Sequence, residues 1–258
     1  MFISTVSNSK LNSFQQCRLK YRYRYVDRLI GPKPLNQNAL NFGSYIHKIF
    51  EDGVGATTRD ELNKLAEEFK ETYKIKNEDD RTRICITNFL RFNASLSENI
   101  STEQRFELEL KKDITLNGII DRVIKGKEGG YLVIDYKTSK REKSKVELFQ
   151  DDQLKGYVLA VHKLYGVPLG DITAAHYYPL TNNFVSVRYS PNQINAHIKK
   201  VVDEVWRIRK CKKTDLHASR NEFCNWCEYK TLCPVFEKPE KIEENIKGCK
   251  KNTYKKKT

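Results

Sequence analysis

Two aspartates and a lysine are the residues of this chain best placed to do chemistry. Asp121 ends Gly118-Ile119-Ile120-Asp121, and Asp135-Tyr136-Lys137 begins fourteen residues after it. Ile114, Leu116, Ile119 and Val123, then Leu132, Val133 and Ile134, form two apolar runs around Gly126-Lys127-Glu128-Gly129-Gly130, a pattern that predicts a β-hairpin. Side chains two apart on a strand share a face, so Asp135 and Lys137 project together, and the partner strand can bring Asp121 beside them. Burying an unpaired charge is costly. Two acids and a lysine on one face therefore fit a divalent-cation site with an attached base. On these three residues alone, a hairpin with solvated charges on its exposed face accounts for the pattern at least as well.

A second set of chemically apt residues is Cys224-x2-Cys227-x5-Cys233-Pro234, with Cys17 far upstream. Three local thiolates and one distant thiolate can make a four-cysteine metal centre holding either zinc or an iron–sulfur cluster. The spacing is not the paired C-x2-C of zinc ribbons, which favours iron–sulfur. An odd total of seven cysteines argues against a disulfide framework. Cys85, Cys211 and Cys249 read as buried or incidental thiols. Either metal would tie the two ends of the chain together, a structural task.

The elements that must position these residues belong to one large domain. The chain has 258 residues, 39% of them hydrophobic, enough for a core. No run approaches the roughly 20 apolar residues of a membrane span, and Met1-Phe2-Ile3-Ser4-Thr5 lacks the build of a signal peptide. A soluble, cytoplasmic protein is expected. The formal charge of +14 favours a polyanionic partner. Arg18, Lys20, Arg22, Arg24 and Arg28 interleave with Tyr21, Tyr23 and Tyr25, a mixture that suits single-stranded nucleic acid. An amphipathic helix with core tyrosines and solvated arginines explains the same spacing.

Periodicity predicts helices from Ser9 to Val26, around Phe42–Phe50, from Asp60 to about Lys76 and over Ile84–Leu96. Strand signals begin at Arg105–Leu110 and continue into the hairpin. A long helix over Val146–Tyr165, strands near Ile172–Tyr178 and Phe184–Tyr189, and a helix opened by Ser190-Pro191 complete the series. The order predicts an α/β fold with a central mixed β-sheet flanked by helices. Residues 237–258 read as a basic flexible tail.

Five elements in this order resemble the PD-(D/E)XK nuclease superfamily, in the branch of RecB- and AddB-type nuclease domains and CRISPR-associated iron–sulfur exonucleases. They are Leu11–Cys17 running into Tyr21, Tyr23 and Tyr25; Gly43-Ser44-Tyr45-Ile46-His47 (GxxxH); the GxxD ending at Asp121; Asp135-Tyr136-Lys137 (DxK) with Gln153-Leu154-Lys155-Gly156-Tyr157 (QxxxY); and the cysteine triplet. The resemblance spans about Ser9 to Pro234. It departs from the family at Arg18, where a proline often follows the first cysteine.

The resemblance implies a restriction-endonuclease-like core over residues 1–236, with a helical insertion at about 56–100 and an iron–sulfur clasp joining Cys17 to 224–233. It implies a Mg²⁺ or Mn²⁺ site made by His47, Asp121, Asp135 and the Tyr136 carbonyl. Lys137 would prepare the attacking water, a depressed lysine pKa allowing proton transfer. Gln153 and Tyr157 would position the nucleic-acid backbone. Cys17, Cys224, Cys227 and Cys233 would hold a [4Fe–4S] cluster, or alternatively Zn²⁺. Arg18, Arg22 and Arg24 would contact DNA. The implied activity is a single-strand-preferring DNA exonuclease of repair, recombination, phage or CRISPR-type DNA processing, with a recombination or helicase partner. The chain has no GxxxxGK[ST] phosphate-binding loop, which points to a free-standing nuclease. Competing readings are a non-catalytic DNA-binding or assembly subunit and an RNA-directed nuclease. Glu107 is a further acid near the predicted sheet, but Glu109 competes with it. His162 and His176 have no constellation around them.

Overall fold

The computed structural model describes residues 3–32, 37–126 and 129–251. The chain forms two units, a smaller one of Met1–Gln37, Lys111–Ile114 and Val201–Thr258, and a larger one of Asn38–Leu110 and Thr115–Lys200. Charge divides unevenly between them. The smaller unit's sequence holds 24 Lys and Arg against 11 Asp and Glu, the larger unit's 23 against 22. Nearly all of the net +14 thus belongs to the smaller unit.

The larger unit is a mixed sheet flanked by helices, the expected α/β architecture. In chain order its elements are α1 (Gln37–Asp52), α2 (Arg59–Thr72), α3 (Asp79–Ala94), β1 (Glu98–Lys111), β2 (Ile114–Lys125), β3 (Tyr131–Tyr136), α4 (Lys145–Phe149), α5 (Asp152–Tyr165), β4 (Ile172–Tyr178) and β5 (Asn183–Val187). A helix over Pro191–Lys210, α6, divides between the units at Val201. β1 pairs with β2, and the order then runs β2–β3–β4–β5. β3 and β4 are parallel, with α4 and α5 supplying the crossover that a parallel pair needs, whereas β2–β3 and β4–β5 are antiparallel.

Phe42, Tyr45, Ile46, Ile49 and Phe50 recur on α1 at the spacing of one helical face, and all are buried. They share a core with Leu62 and Ala66 of α2, Cys85, Ile86 and Phe89 of α3, and Ile124, Ile134, Tyr136 and Tyr177 of the sheet. Phe50 and Phe89 stack with ring centroids 4.0 Å apart. α2 and α3 carry no recognisable motif, yet they form the wall against which α1 is seated. α2 starts at a capping box, the Thr58 hydroxyl accepting from the Glu61 N–H while Glu61 Oε2 accepts from the Thr58 N–H.

Two predicted helices are broken in the structure. The stretch over Val146–Tyr165 splits at Asp151, whose carboxylate accepts from the Gln153 and Leu154 N–H groups at 2.9 and 3.0 Å and starts α5 afresh. The N-terminal helix begins from Ser7 rather than Ser9 and is interrupted at Cys17, which is extended. Helix resumes over Arg18–Tyr21 and ends as a π turn over Arg22–Val26. Within the smaller unit, Pro239–Gly248 is helical, and the Ile30 N–H donates to the Lys250 carbonyl at 2.8 Å. Residues 252–258 of the predicted tail lie outside the described residues. No helix among the described residues is long and apolar enough to cross a membrane.

Candidate active site and cysteine centre

The larger unit gathers its ionisable groups at the sheet's centre. β2 and β3 run antiparallel with Arg122 opposite Ile134, which sets Asp121 beside the end of β3. The Tyr136 N–H donates to Asp121 Oδ2 at 2.7 Å, and Lys137 Nζ lies 2.5 Å from Asp135 Oδ2. Two glycines make this approach sterically feasible. A Cβ on Gly118 would fall 2.7 Å from the Phe106 ring, and one on Gly43 would press on Thr138 Oγ1 at 3.3 Å. Gly43 thus lets α1 lie close to the end of β3, one turn before His47.

His47 Nε2 donates to the Tyr136 carbonyl at 2.9 Å, which turns Nδ1 toward Asp121 Oδ2 at 3.5 Å. That bond occupies one of the carbonyl's two lone pairs. Donor atoms of His47, Glu103 and Asp121 all lie within 4.8 Å of one another. Burial pushes the Asp121 carboxyl well above the usual carboxylate range, and the Asp135 charge adds to it. Glu103 is also raised, first by burial. Burial lowers His47, against the pull of Asp135 and Glu103, and keeps the imidazole neutral. A neutral imidazole among carboxylates that repel one another is a donor set suited to a divalent cation.

The acidity of Lys137 in the cation-free site is set by opposing effects. Burial lowers its pKa, but Asp135 and then Asp121 raise it further, and the net shift is upward. Its Nζ donates to Gln153 Oε1 at 3.3 Å, and Gln153 Nε2 donates to the Tyr157 hydroxyl at 2.6 Å. Gln153 and Tyr157 share a face of α5, as residues four apart do, and Gln153 serves as a brace for Lys137.

Two acidic groups of this region have no counterpart among the residues expected from sequence. Strand alternation puts Glu103 on the same side as the exposed Glu107 and Glu109, opposite buried Phe106 and Leu108. Glu103 has φ +47°, and this left-handed residue breaks the alternation as bulges do, re-aiming the carboxylate. The Asp151 signal was legible, since an acid just ahead of Gln153 is an N-cap candidate inside an apparently continuous helix. His176 also has partners. Its Nε2 lies 3.6 Å from Asp135 Oδ2 and 3.7 Å from Asp151 Oδ2.

In the smaller unit Cys17, Cys224, Cys227 and Cys233 line one cavity, together with Lys20, Phe223 and Lys230. Burial raises the Cys233 thiol, and the neighbouring Cys17, Cys227 and Cys224 raise it further, so the four sulfurs feel one another. Four cysteines around one small space fit a metal or iron–sulfur centre. Cys249 packs nearby, against the apolar cluster of Leu19, Tyr23, Leu29, Tyr229 and Leu232. The interleaved tyrosines Tyr21 and Tyr23 are core residues, 3% and 6% exposed, and cannot serve as stacking platforms. Arg22 pairs with Asp27 at 3.0 Å and Arg24 with Glu228 at 3.4 Å, whereas Arg18 is exposed over the Phe14 ring. Phe223 and Trp226, in the turn that carries Cys224, are exposed.

The family model of the PD-(D/E)XK nuclease superfamily matches residues 5–234. An ATP-dependent helicase/deoxyribonuclease subunit of Streptococcus agalactiae is 27% identical over 179 residues, covering 61% of this chain and 16% of that protein. The Streptococcus mutans protein of the same name is 26% identical over 151 residues, covering 52% and 14%. The chain thus spans about a sixth of the length of these relatives. A crystal structure of a candidate exonuclease from Eubacterium rectale superposes with a TM-score of 0.58 over 95% of this chain and 94% of that one, at 18% identity, and shares its fold.

Proposed function

Because this chain belongs to the PD-(D/E)XK nuclease superfamily, we propose that it is a divalent-cation-dependent deoxyribonuclease acting as an exonuclease on single-stranded ends. One observation carries the reading: the donor atoms of His47, Glu103 and Asp121 converge beside an Asp135 paired to Lys137. A cation bound there acidifies a water, neutralises phosphate charge and stabilises the leaving oxygen. His47 Nδ1, Glu103, Asp121 and Asp135 would hold it, with the second lone pair of the Tyr136 carbonyl as a further oxygen donor. The imidazole nitrogen in the set favours Mn²⁺ over Mg²⁺. Lys137, paired with Asp135, would orient the attacking water and face the negative charge of the phosphate. Gln153, anchored by Tyr157, holds Lys137 in that place.

DNA as substrate and a helicase as partner follow from the names of the relatives, which are helicase/deoxyribonuclease subunits. The excess positive charge of the smaller unit, exposed Arg18 and the exposed rings of Phe223 and Trp226 support binding of a single strand. Both units are read as one nuclease domain over residues 1–236, with the basic 237–258 adding electrostatic affinity. The test uses end-labelled linear DNA, single- and double-stranded, circular single-stranded DNA and RNA of matched sequence. Mn²⁺ should support release of nucleotides from linear single-stranded DNA, EDTA should stop it, and the circle should survive. Intact DNA in the presence of Mn²⁺ would sink the enzyme reading, and faster RNA cleavage would move the substrate to RNA.

The four cysteines are assigned a structural [4Fe–4S] cluster. Three of them follow C-x2-C-x5-C and the fourth is distant in sequence, a pattern unlike the paired C-x2-C of zinc ribbons, and this supports iron–sulfur over zinc. Anaerobically purified protein should be brown. Cys227→Ala should bleach it and lower the melting temperature. A colourless wild-type preparation carrying one zinc per chain would overturn the assignment.

A further inference from the structure

His176 is fully buried in β4, a strand otherwise built from Ile, Thr, Ala and Tyr. An imidazole shut away from water costs free energy unless both nitrogens find partners. The parallel register sets His176 opposite Asp135 on β3, so the two side chains leave the sheet on one face. Tyr178, two residues on, shares that face, and its hydroxyl lies 3.2 Å from His176 Nδ1. The same hydroxyl oxygen accepts from the Lys143 N–H at 2.8 Å. Its own proton is then free to be donated to Nδ1, which leaves the ring proton on Nε2. That Nε2–H makes no hydrogen bond among the described residues, and lies between two carboxylate oxygens at ionic rather than hydrogen-bond distance, Asp135 Oδ2 at 3.6 Å and Asp151 Oδ2 at 3.7 Å.

The two carboxylates have different duties. Asp135 belongs to the proposed cation site and carries Lys137 on the same oxygen that faces His176. Asp151 caps the N-terminus of α5, the helix that presents Gln153 and Tyr157, and its Oδ2 takes Lys143 Nζ at 2.6 Å. Each of these Oδ2 atoms is paired with a lysine ammonium, and one imidazole stands between the two carboxylates. Without a donor there, two buried anions would face each other across an apolar gap.

We propose that His176 is a positioning residue, whose Nε2–H, buried between Asp135 and Asp151 and bonded to neither, balances the two carboxylates electrostatically and so fixes the cation-holding carboxylate and the start of α5 in one geometry. The proposal rests on the nuclease reading above. Loss of a partner that orients a metal ligand typically weakens metal affinity or activity about 10–100-fold. His176→Leu should therefore weaken Mn²⁺ binding, followed by the electron paramagnetic resonance of free Mn²⁺, by about tenfold or more, and lower kcat with little change in KM for DNA. His176→Gln, which keeps an N–H donor, should recover part of both. Tyr178→Phe, a milder change that removes the hydroxyl setting the ring tautomer, should shift both in the same direction by less. Should His176→Leu fail to fold, the Gln and Phe variants carry the same comparison.

A purely structural histidine would lower the melting temperature and leave Mn²⁺ affinity and kcat at wild-type values below it. That result would overturn the proposal. Failure of the nuclease reading shows elsewhere, in a wild-type chain that neither binds Mn²⁺ nor cleaves DNA.

Discussion

Lys137→Ala lowers the turnover of single-stranded DNA by about 1,000-fold, within the range of groups that act on the proton or charge of a transition state. Mn²⁺ affinity does not fall, because the lysine is not a ligand. The paired result matters more than the loss. Lys137 Nζ touches Asp135 Oδ2, so its removal also frees a carboxylate. A freed carboxylate can only strengthen cation binding, which separates this variant from one that has lost a ligand. Lys137→Arg does not rescue, since a planar guanidinium cannot take the place of a compact ammonium braced by Gln153. Single-turnover cleavage together with Mn²⁺ binding checks the expectation. Near-wild-type cleavage by Lys137→Ala would remove the lysine from the mechanism.

Asp121→Asn has the second large effect, and it acts in opposite directions on activity and stability. Activity falls by about 1,000-fold or more, equivalent to the several kcal/mol that a cation contributes to such a reaction. The cation-free protein, by contrast, becomes more stable at neutral pH. The folded-state pKa of Asp121 is raised above its unfolded value, by burial and then by Asp135. The folded chain therefore binds the proton more tightly than the unfolded chain does. The resulting penalty is absent below the unfolded carboxylate pKa, grows as the pH rises and is complete above the folded value. Asn removes it while keeping an oxygen for the Tyr136 N–H, so the cation-free variant gains stability. Melting curves in EDTA from pH 5 to 8 should show the wild type losing stability relative to the variant as pH rises. Adding Mn²⁺ should stabilise the wild type alone. Parallel curves would show that Asp121 titrates normally in the fold.

What could be read in advance follows from the range of the interactions involved. Asp135 and Lys137 are two apart on a strand, and Asp121 lies across one short hairpin, so local periodicity was enough to place them together. The mixed sheet was legible for the same reason, from runs of alternating residues and the proline that opens α6. Glu103 was not, because a single left-handed residue reverses which side of β1 it faces. His176 looked isolated because its carboxylates are 41 and 25 residues away in sequence, Asp135 reaching it through the parallel register of β3 and β4 and Asp151 from the N-cap of α5. Tyr21 and Tyr23 went the other way. Interleaving with arginine is what a helix with a buried face and a solvated face produces, and their burial settles that they belong to the core.

The split of charge between the two units separates two sensitivities that most nucleases share. Binding a polyanion displaces counterions in proportion to the phosphates neutralised. Here the surplus of cationic side chains sits outside the unit that holds the proposed cation-ligating residues, which is nearly neutral in sum. On the proposed function, ionic strength should therefore act on how often a strand is held more than on how fast a held strand is cut. For the same reason the chain's grip on nucleic acid can be retuned by surface lysines and arginines of the smaller unit, with the chemistry left as it is.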